Sequence, residues 1–135
     1  MEIRLMHEDE VEEVKELIFK TLFKKITKEY TNNKSSFTVV AVNEGSIVGV
    51  MTIFIHDDAL GGEKSYFVSN LCVDSEFQRM GIATKMLDYV EDMACKEEIK
   101  YIYTLIPVKY FEANKLYEKM NYDIKNINCY RKEVC

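Results

Sequence analysis

The 135-residue sequence predicts a single α/β domain spanning residues 1–135, with a mixed, mostly antiparallel central sheet flanked by helices. Three observations predict it. β-Branched, apolar runs recur at residues 37–42, 47–55 and 65–73, amphipathic helical stripes lie before and after them, and no linker, repeat or low-complexity stretch divides the chain. One Pro and five Gly among 47% hydrophobic residues exclude a disordered chain. A chain of this length buries roughly two thirds of its unfolded surface, enough for a core without metals or disulfides.

Taken in order, Ile3 and Leu5 mark a short first strand. Val11, Val14, Leu17, Ile18 and Leu22 then recur at helical spacing behind Glu8, Asp9 and Glu10, acids that suit the positive end of a helix. Residues 20–34 carry Lys20, Lys24, Lys25, Lys28 and Lys34, which reads as a helix end plus a loop with a solvated basic face. Asn43-Glu44-Gly45-Ser46 joins two apolar runs as a β-hairpin, within which Gly49 marks a bulge or close packing. Residues 57–64, with Gly61-Gly62, form the next turn, and residues 65–73 the third long strand.

The period then changes. Ile82, Ala83, Met86, Leu87, Val90, Met93 and Ala94 share one helical face, while Lys85, Asp88, Glu91, Asp92 and Lys96 share the other. Residues 99–106 read as a buried strand stopped by Pro107, and Tyr110, Ala113, Leu116, Tyr117 and Met120 as a last helix. Asn121 fits its left-handed C-cap, and residues 122–132 alternate as a final strand.

Charge and composition exclude several functions. Eighteen basic against 23 acidic residues give a net charge of −5, opposite to a nucleic-acid-binding surface. The longest apolar stretch, residues 48–55, is far below the ~20 residues that span a bilayer. The N-terminus turns acidic where a secretory signal runs apolar. Cys72, Cys95, Cys129 and Cys135 form no CxxC pair, and His7 and His56 stand alone, so neither a metal site nor a disulfide framework is expected. Reduced thiols in a cytoplasmic protein, with no membrane and no nucleic-acid partner, are the expectation.

The most informative stretch runs Leu71-Cys72-Val73-Asp74-Ser75-Glu76-Phe77-Gln78-Arg79-Met80-Gly81-Ile82-Ala83-Thr84. A buried strand leads through a polar loop into a helix whose first turn holds a glycine and an alanine. Such a start offers unpaired backbone N–H groups and the positive end of the helix dipole, together a site for pyrophosphate. Arg79 adds a charged fork and Thr84 a hydroxyl. The stretch is neither a P-loop, since Gly-Lys-Thr is missing, nor GxGxxG, since only one glycine is present.

Gln78-Arg79-Met80-Gly81-Ile82-Ala83 resembles the Gln/Arg-x-x-Gly-x-Gly/Ala motif of the GNAT N-acetyltransferase superfamily. Asn70-Leu71-Cys72-Val73-Asp74 resembles the end of that family's fourth strand. The hairpin Asn43-Glu44-Gly45-Ser46-Ile47-Val48-Gly49 is similar to its usual second hairpin. Glu112-Ala113-Asn114-Lys115-Leu116-Tyr117-Glu118-Lys119-Met120-Asn121-Tyr122 is similar to its last-helix signature. The resemblance implies the acyl-CoA N-acyltransferase fold and acetyl-CoA as cosubstrate. Pantetheine would lie along the strand through Leu71, Cys72 and Val73, and pyrophosphate on the turn formed by Gln78, Arg79, Met80, Gly81, Ile82, Ala83 and Thr84, with Asn114 a further cofactor contact. It also implies direct transfer to a small-molecule or peptide amine in a ternary complex, by a monomer or a homodimer.

By resemblance Tyr117 is the general acid that protonates the departing thiolate; by spacing alone it is a packed core residue. Two positions depart from the family pattern. Ser69 stands where many relatives carry a glutamate base, leaving Asp57, Asp58 and Glu63 as carboxylate candidates, and Tyr110 stands where relatives carry a cofactor-binding asparagine. These departures favour the alternative, a non-catalytic CoA-binding regulatory domain of the same fold.

Overall fold

A computed structural model of the chain describes residues 1–22, 32–57 and 62–135. Lys24, Lys25 and Lys28 of the basic segment, and Asp58 and Gly61 of the second turn, lie outside the described residues. The chain forms two compact units, Met1–Leu105 and Ile106–Cys135.

The first unit holds a five-stranded sheet in the order β1-β2-β3-β4-β5, with β1 Glu2–Leu5, β2 Ser36–Asn43, β3 Ser46–Asp57, β4 Lys64–Val73 and β5 Tyr101–Thr104. The first four strands are antiparallel neighbours, and β5 runs parallel to β4. The β2–β3 hairpin closes with Glu44 and Gly45 both at positive φ, 48° and 80°, the two-residue turn whose twist matches the strands.

Helices α1 (Val11–Leu22) and α2 (Ile82–Lys96) cover opposite faces of this sheet. Val14, Leu17 and Ile18 of α1 pack with Val40, Val50 and Cys72, which lie across the strands in one row. On the other face, Gly49 permits α2 to sit close: a Cβ built there falls 2.9 Å from Met86 Sδ and 3.2 Å from Ala41 Cβ. The sequence signal at Gly49 therefore reflects close packing, and a bulge between Ala41 and Val42 lies beside it. Near the start of α1, Arg4 forms two 2.8 Å hydrogen bonds with the Glu10 carboxylate, which hold that carboxyl down to about 2.

The second unit contains α3 (Phe111–Lys119), ended by Asn121 at φ 66° as its left-handed residue. The expected final strand at residues 122–132 does not form: residues 123–135 are exposed and carry no ladder. Alternation specifies which side chains share a face, but a strand exists only when a neighbour supplies its hydrogen bonds. Likewise β5 is four residues long, shorter than the expected 99–106, because only Tyr101–Thr104 finds a register on β4.

Candidate active site

The site is built on β4. Its register to β3 is interrupted between Thr52↔Asn70 and Ile53↔Val68, so Ser69 is an extra residue opposite none on β3. This bulge reverses which alternate side chains face α2: Leu71 and Val73 do so beyond it, Val68 and Tyr66 before it, following their partners Met51, Gly49, Ile53 and Ile55. A residue count along the strand alone puts Leu71 and Val68 on opposite faces.

The bulge coincides with the point where β4 loses its second neighbour. β5 pairs with β4 only from Ser65↔Tyr101 to Val68↔Thr104, and Thr104 Oγ1 closes the ladder by donating to Val68 O at 2.8 Å. Beyond it, Asp74 N–H donates to Val48 O at 2.8 Å, and antiparallel alternation then turns the backbones of Cys72 and Asn70 toward β3. Leu71 and Val73 turn theirs to the opposite edge, where no strand pairs with them among the described residues. Cys72 therefore faces neither way into that edge, because its side chain is buried in the α1 core and its backbone faces β3.

The loop after β4 aims a helix end at the same edge. Asp74 accepts from Glu76 N–H at 3.0 Å and from Lys20 Nζ at 3.1 Å, and both interactions pull its carboxyl below the usual range. Gln78 folds back so that Nε2 donates to Val73 O at 3.0 Å. Its side chain thus braces the turn rather than projecting from it. Gly81 follows at φ 77°, ψ 14°, and its carbonyl accepts the first helical bond, from Lys85 N–H at 3.0 Å. The amides of Gly81, Ile82, Ala83 and Thr84 precede that bond and have no partner within the helix. A Cβ built on Gly81 meets nothing within 4 Å among the described residues.

Arg79 and Met80 are exposed beside this cradle of amides. Arg79 adopts φ 65°, a left-handed conformation that costs an L-residue about 1–2 kcal/mol. Its guanidinium has no ion pair among the described residues, although it stands near the positive end of α2. Backbone strain and an unfavourable charge position both make sense when an anion occupies the cradle.

A family profile settles the kinship: that of the acetyltransferase (GNAT) family matches residues 3–122. The chain belongs to the GNAT acetyltransferase family. Among solved structures, this GNAT chain resembles a ribosomal-protein-alanine N-acetyltransferase from Brucella melitensis biovar Abortus 2308, with 17% identity, 99% and 100% of the two chains covered and a TM-score of 0.84. It also resembles AAC(6')-Iy in complex with the bisubstrate analog CoA-S-monomethyl-acetylneamine, with 15% identity, 98% of each chain covered and a TM-score of 0.85. A structure described as a transcriptional regulator from Bacillus halodurans C-125 aligns over 98% and 99% of the chains, with 15% identity and a TM-score of 0.84. At such identities these likenesses establish the fold. No curated protein sequence gives a significant match.

In the second unit of this GNAT chain, Tyr117 is the one buried residue of α3, edge-on to Tyr122 with ring centroids 5.1 Å apart. Asn114 commits both hydrogens of its amide nitrogen to the loop before α3, reaching Tyr110 O at 2.7 Å and Pro107 O at 3.1 Å. Only its Oδ1 is left to face a ligand. Asp57 and Glu63 are exposed. Among the described residues no cluster of metal-ligating side chains exists, and no helix is long and apolar enough to cross a membrane.

Proposed function

We propose that the protein is an acetyl-CoA-dependent N-acetyltransferase that acetylates a primary amine by direct attack in a ternary complex. The observation that carries this reading is the convergence, within one unit, of the open Leu71–Val73 backbone edge and the unpaired amides at the start of α2. The edge presents N–H donors at fixed positions, the arrangement that binds the amides of pantetheine and stabilises negative charge on a thioester carbonyl under attack without reorganisation. The amides of residues 81–84, the helix dipole and Arg79 match the pyrophosphate. Held side by side, amine and thioester react as an effectively unimolecular pair, which supplies much of the acceleration.

Tyr117 is the residue we assign as general acid for the departing thiolate; a phenol stays protonated near neutrality and donates as the thiolate forms. Ser69, the bulge residue, has no carboxylate, so deprotonation of the incoming ammonium falls to water or to an acceptor-side carboxylate such as Asp57 or Glu63. The family match across residues 3–122 supports reading the chain as one acetyltransferase domain. The four cysteines are free thiols, which supports a cytoplasmic location.

A second reading has its own support. Ser69, Tyr110 and the resemblance to a transcriptional regulator favour a non-catalytic CoA-binding domain of the same fold. Thiol release from acetyl-CoA across a panel of small amines, peptide N-termini and lysine peptides separates the two. Acceptor-dependent release supports the enzyme; tight acetyl-CoA binding with no release on any amine supports the binding domain.

A further inference from the structure

On the sheet face that α1 covers, the apolar core ends at the row of Val50 and Cys72. The next row is a buried polar pair, in which Asn70 Nδ2 donates to Thr52 Oγ1 at 3.0 Å. Beyond it the register places Phe54, His56, Ser65, Phe67, Tyr101 and Tyr103 on the same face. Three of these rings form a continuous wall: between centroids, Phe67 lies 5.1 Å from Tyr103 and 6.2 Å from His56, and His56 meets Tyr103 edge-on at 5.5 Å. His56 is exposed, and Phe67 and Tyr103 are only part-buried.

Hydrogen bonds hold the wall in place. The Asp57 carbonyl can only accept, so in the neutral imidazole His56 Nδ1 carries the hydrogen that reaches it at 2.8 Å, and Nε2 accepts from the Tyr103 hydroxyl at 2.8 Å. Rings fixed before a ligand arrives lose little freedom when it binds.

The position of this wall relative to the reaction rests on the acetyltransferase reading. With pyrophosphate at the start of α2, pantetheine runs back along the edge from Val73 to Leu71 and its thioester reaches the Ser69 bulge. Straight ahead, β5 closes the way by pairing Thr104 with Val68. On the α2 face, Val68 and Tyr66 are each 2% exposed. The amine's remaining route is the opposite face, where Phe67 stands two residues from Ser69, roughly 7 Å of strand rise.

We propose that Phe67, His56 and Tyr103 select the acceptor, and that this acceptor is a primary amine joined by a short alkyl linker to an aromatic ring. The linker spans the distance from thioester to wall, and the ring packs on the exposed aromatic faces. None of the six positions on this face is acidic, so a polyhydroxylated polyamine finds no carboxylate there to pair with its charges.

Steady-state thiol release from acetyl-CoA with phenethylamine, n-propylamine and kanamycin tests the proposal. The expected kcat/KM for phenethylamine exceeds that for each of the others about tenfold or more. Phe67→Ala and the exposed-site change His56→Ala each bring the ratio of phenethylamine to n-propylamine toward one, while Phe67→Tyr keeps it. Equal kcat/KM for phenethylamine and n-propylamine, a preference for kanamycin, or a ratio indifferent to both alanine variants overturns the proposal and leaves the acetyltransferase reading standing. If none of the amines is acetylated, calorimetric titration of phenethylamine into the CoA-saturated chain decides separately: binding that His56→Ala and Phe67→Ala weaken about tenfold supports the aromatic site, and no binding overturns it.

Discussion

Replacing Arg79 by glycine separates the two roles that the cradle assigns to that position, because stability and cofactor affinity move in opposite directions. Arg79 sits at φ 65°, where an L-residue loses about 1–2 kcal/mol and glycine does not. Glycine returns about 0.5–1 kcal/mol of that through its greater freedom in the unfolded chain. Removing a cation near the positive end of α2 adds a few tenths of a kcal/mol. The net expectation for Arg79→Gly is a gain of about 1 kcal/mol, a rise in Tm of roughly 4 °C for a domain of this size. In the proposed cofactor site the same change would also remove a charge-assisted hydrogen bond to pyrophosphate, about 1.5–3 kcal/mol, so the Kd for CoA should rise tenfold or more. Thermal melting followed by circular dichroism and titration calorimetry with CoA read the two effects on one preparation. A lower Tm with unchanged CoA affinity refutes the reasoning, since Arg79 is then a structural residue of the turn. Arg79→Lys keeps the strained φ and the charge but loses the fork, and should leave Tm unchanged with an intermediate Kd.

Gly49→Val drives side-chain atoms into Met86 Sδ, already 2.9 Å from the first atom added, and should cost about 1–3 kcal/mol of stability in a denaturant melt. Tyr117→Phe should lower kcat about 100-fold while leaving the KM for acetyl-CoA nearly unchanged, as steady-state kinetics read directly. Glu10 titrates at about 2 in the folded chain against an ordinary 4.5, because the Arg4 guanidinium bonds its charged form. A depressed folded value gives stability that is complete above about 4.5 and is lost as the pH falls toward about 2. Chemical denaturation across that window should show a loss on the order of 2 kcal/mol that Glu10→Gln abolishes.

Much of the frame is legible in the residues themselves. Gly45 in a four-residue turn and the apolar faces of α1 and α2 each carry a local signal strong enough to fix an element, and so does Asn121 at a helix end. Gly81 announces the cradle because a left-handed residue before a helix is a local requirement. The Ser69 bulge carries no such mark. It arises because β4 must stay in register with β3 while parting from β5, a property of three strands that no single one encodes. The residue that reverses the faces of β4, and so presents the Leu71 and Val73 amides together with the α2 turn, was therefore visible only as a departure from a family pattern. The bracing roles of Gln78 and Asn114 carry no mark in the sequence, where both resemble cofactor contacts, since their hydrogen bonds go to Val73, Pro107 and Tyr110 carbonyls whose positions depend on the turns. Residues 122–132 show the converse error, an alternation with no neighbouring strand among the described residues to make it one.

Acetyl transfer is tested most directly by incubating the purified chain with acetyl-CoA and each acceptor class while following free CoA thiol and the mass of the amine. Thiol release that depends on the acceptor, matched by an amine heavier by one acetyl group and abolished with Arg79→Gly at low acetyl-CoA, is the predicted result. Acetyl-CoA bound tightly, with no acceptor acetylated in any class, contradicts it.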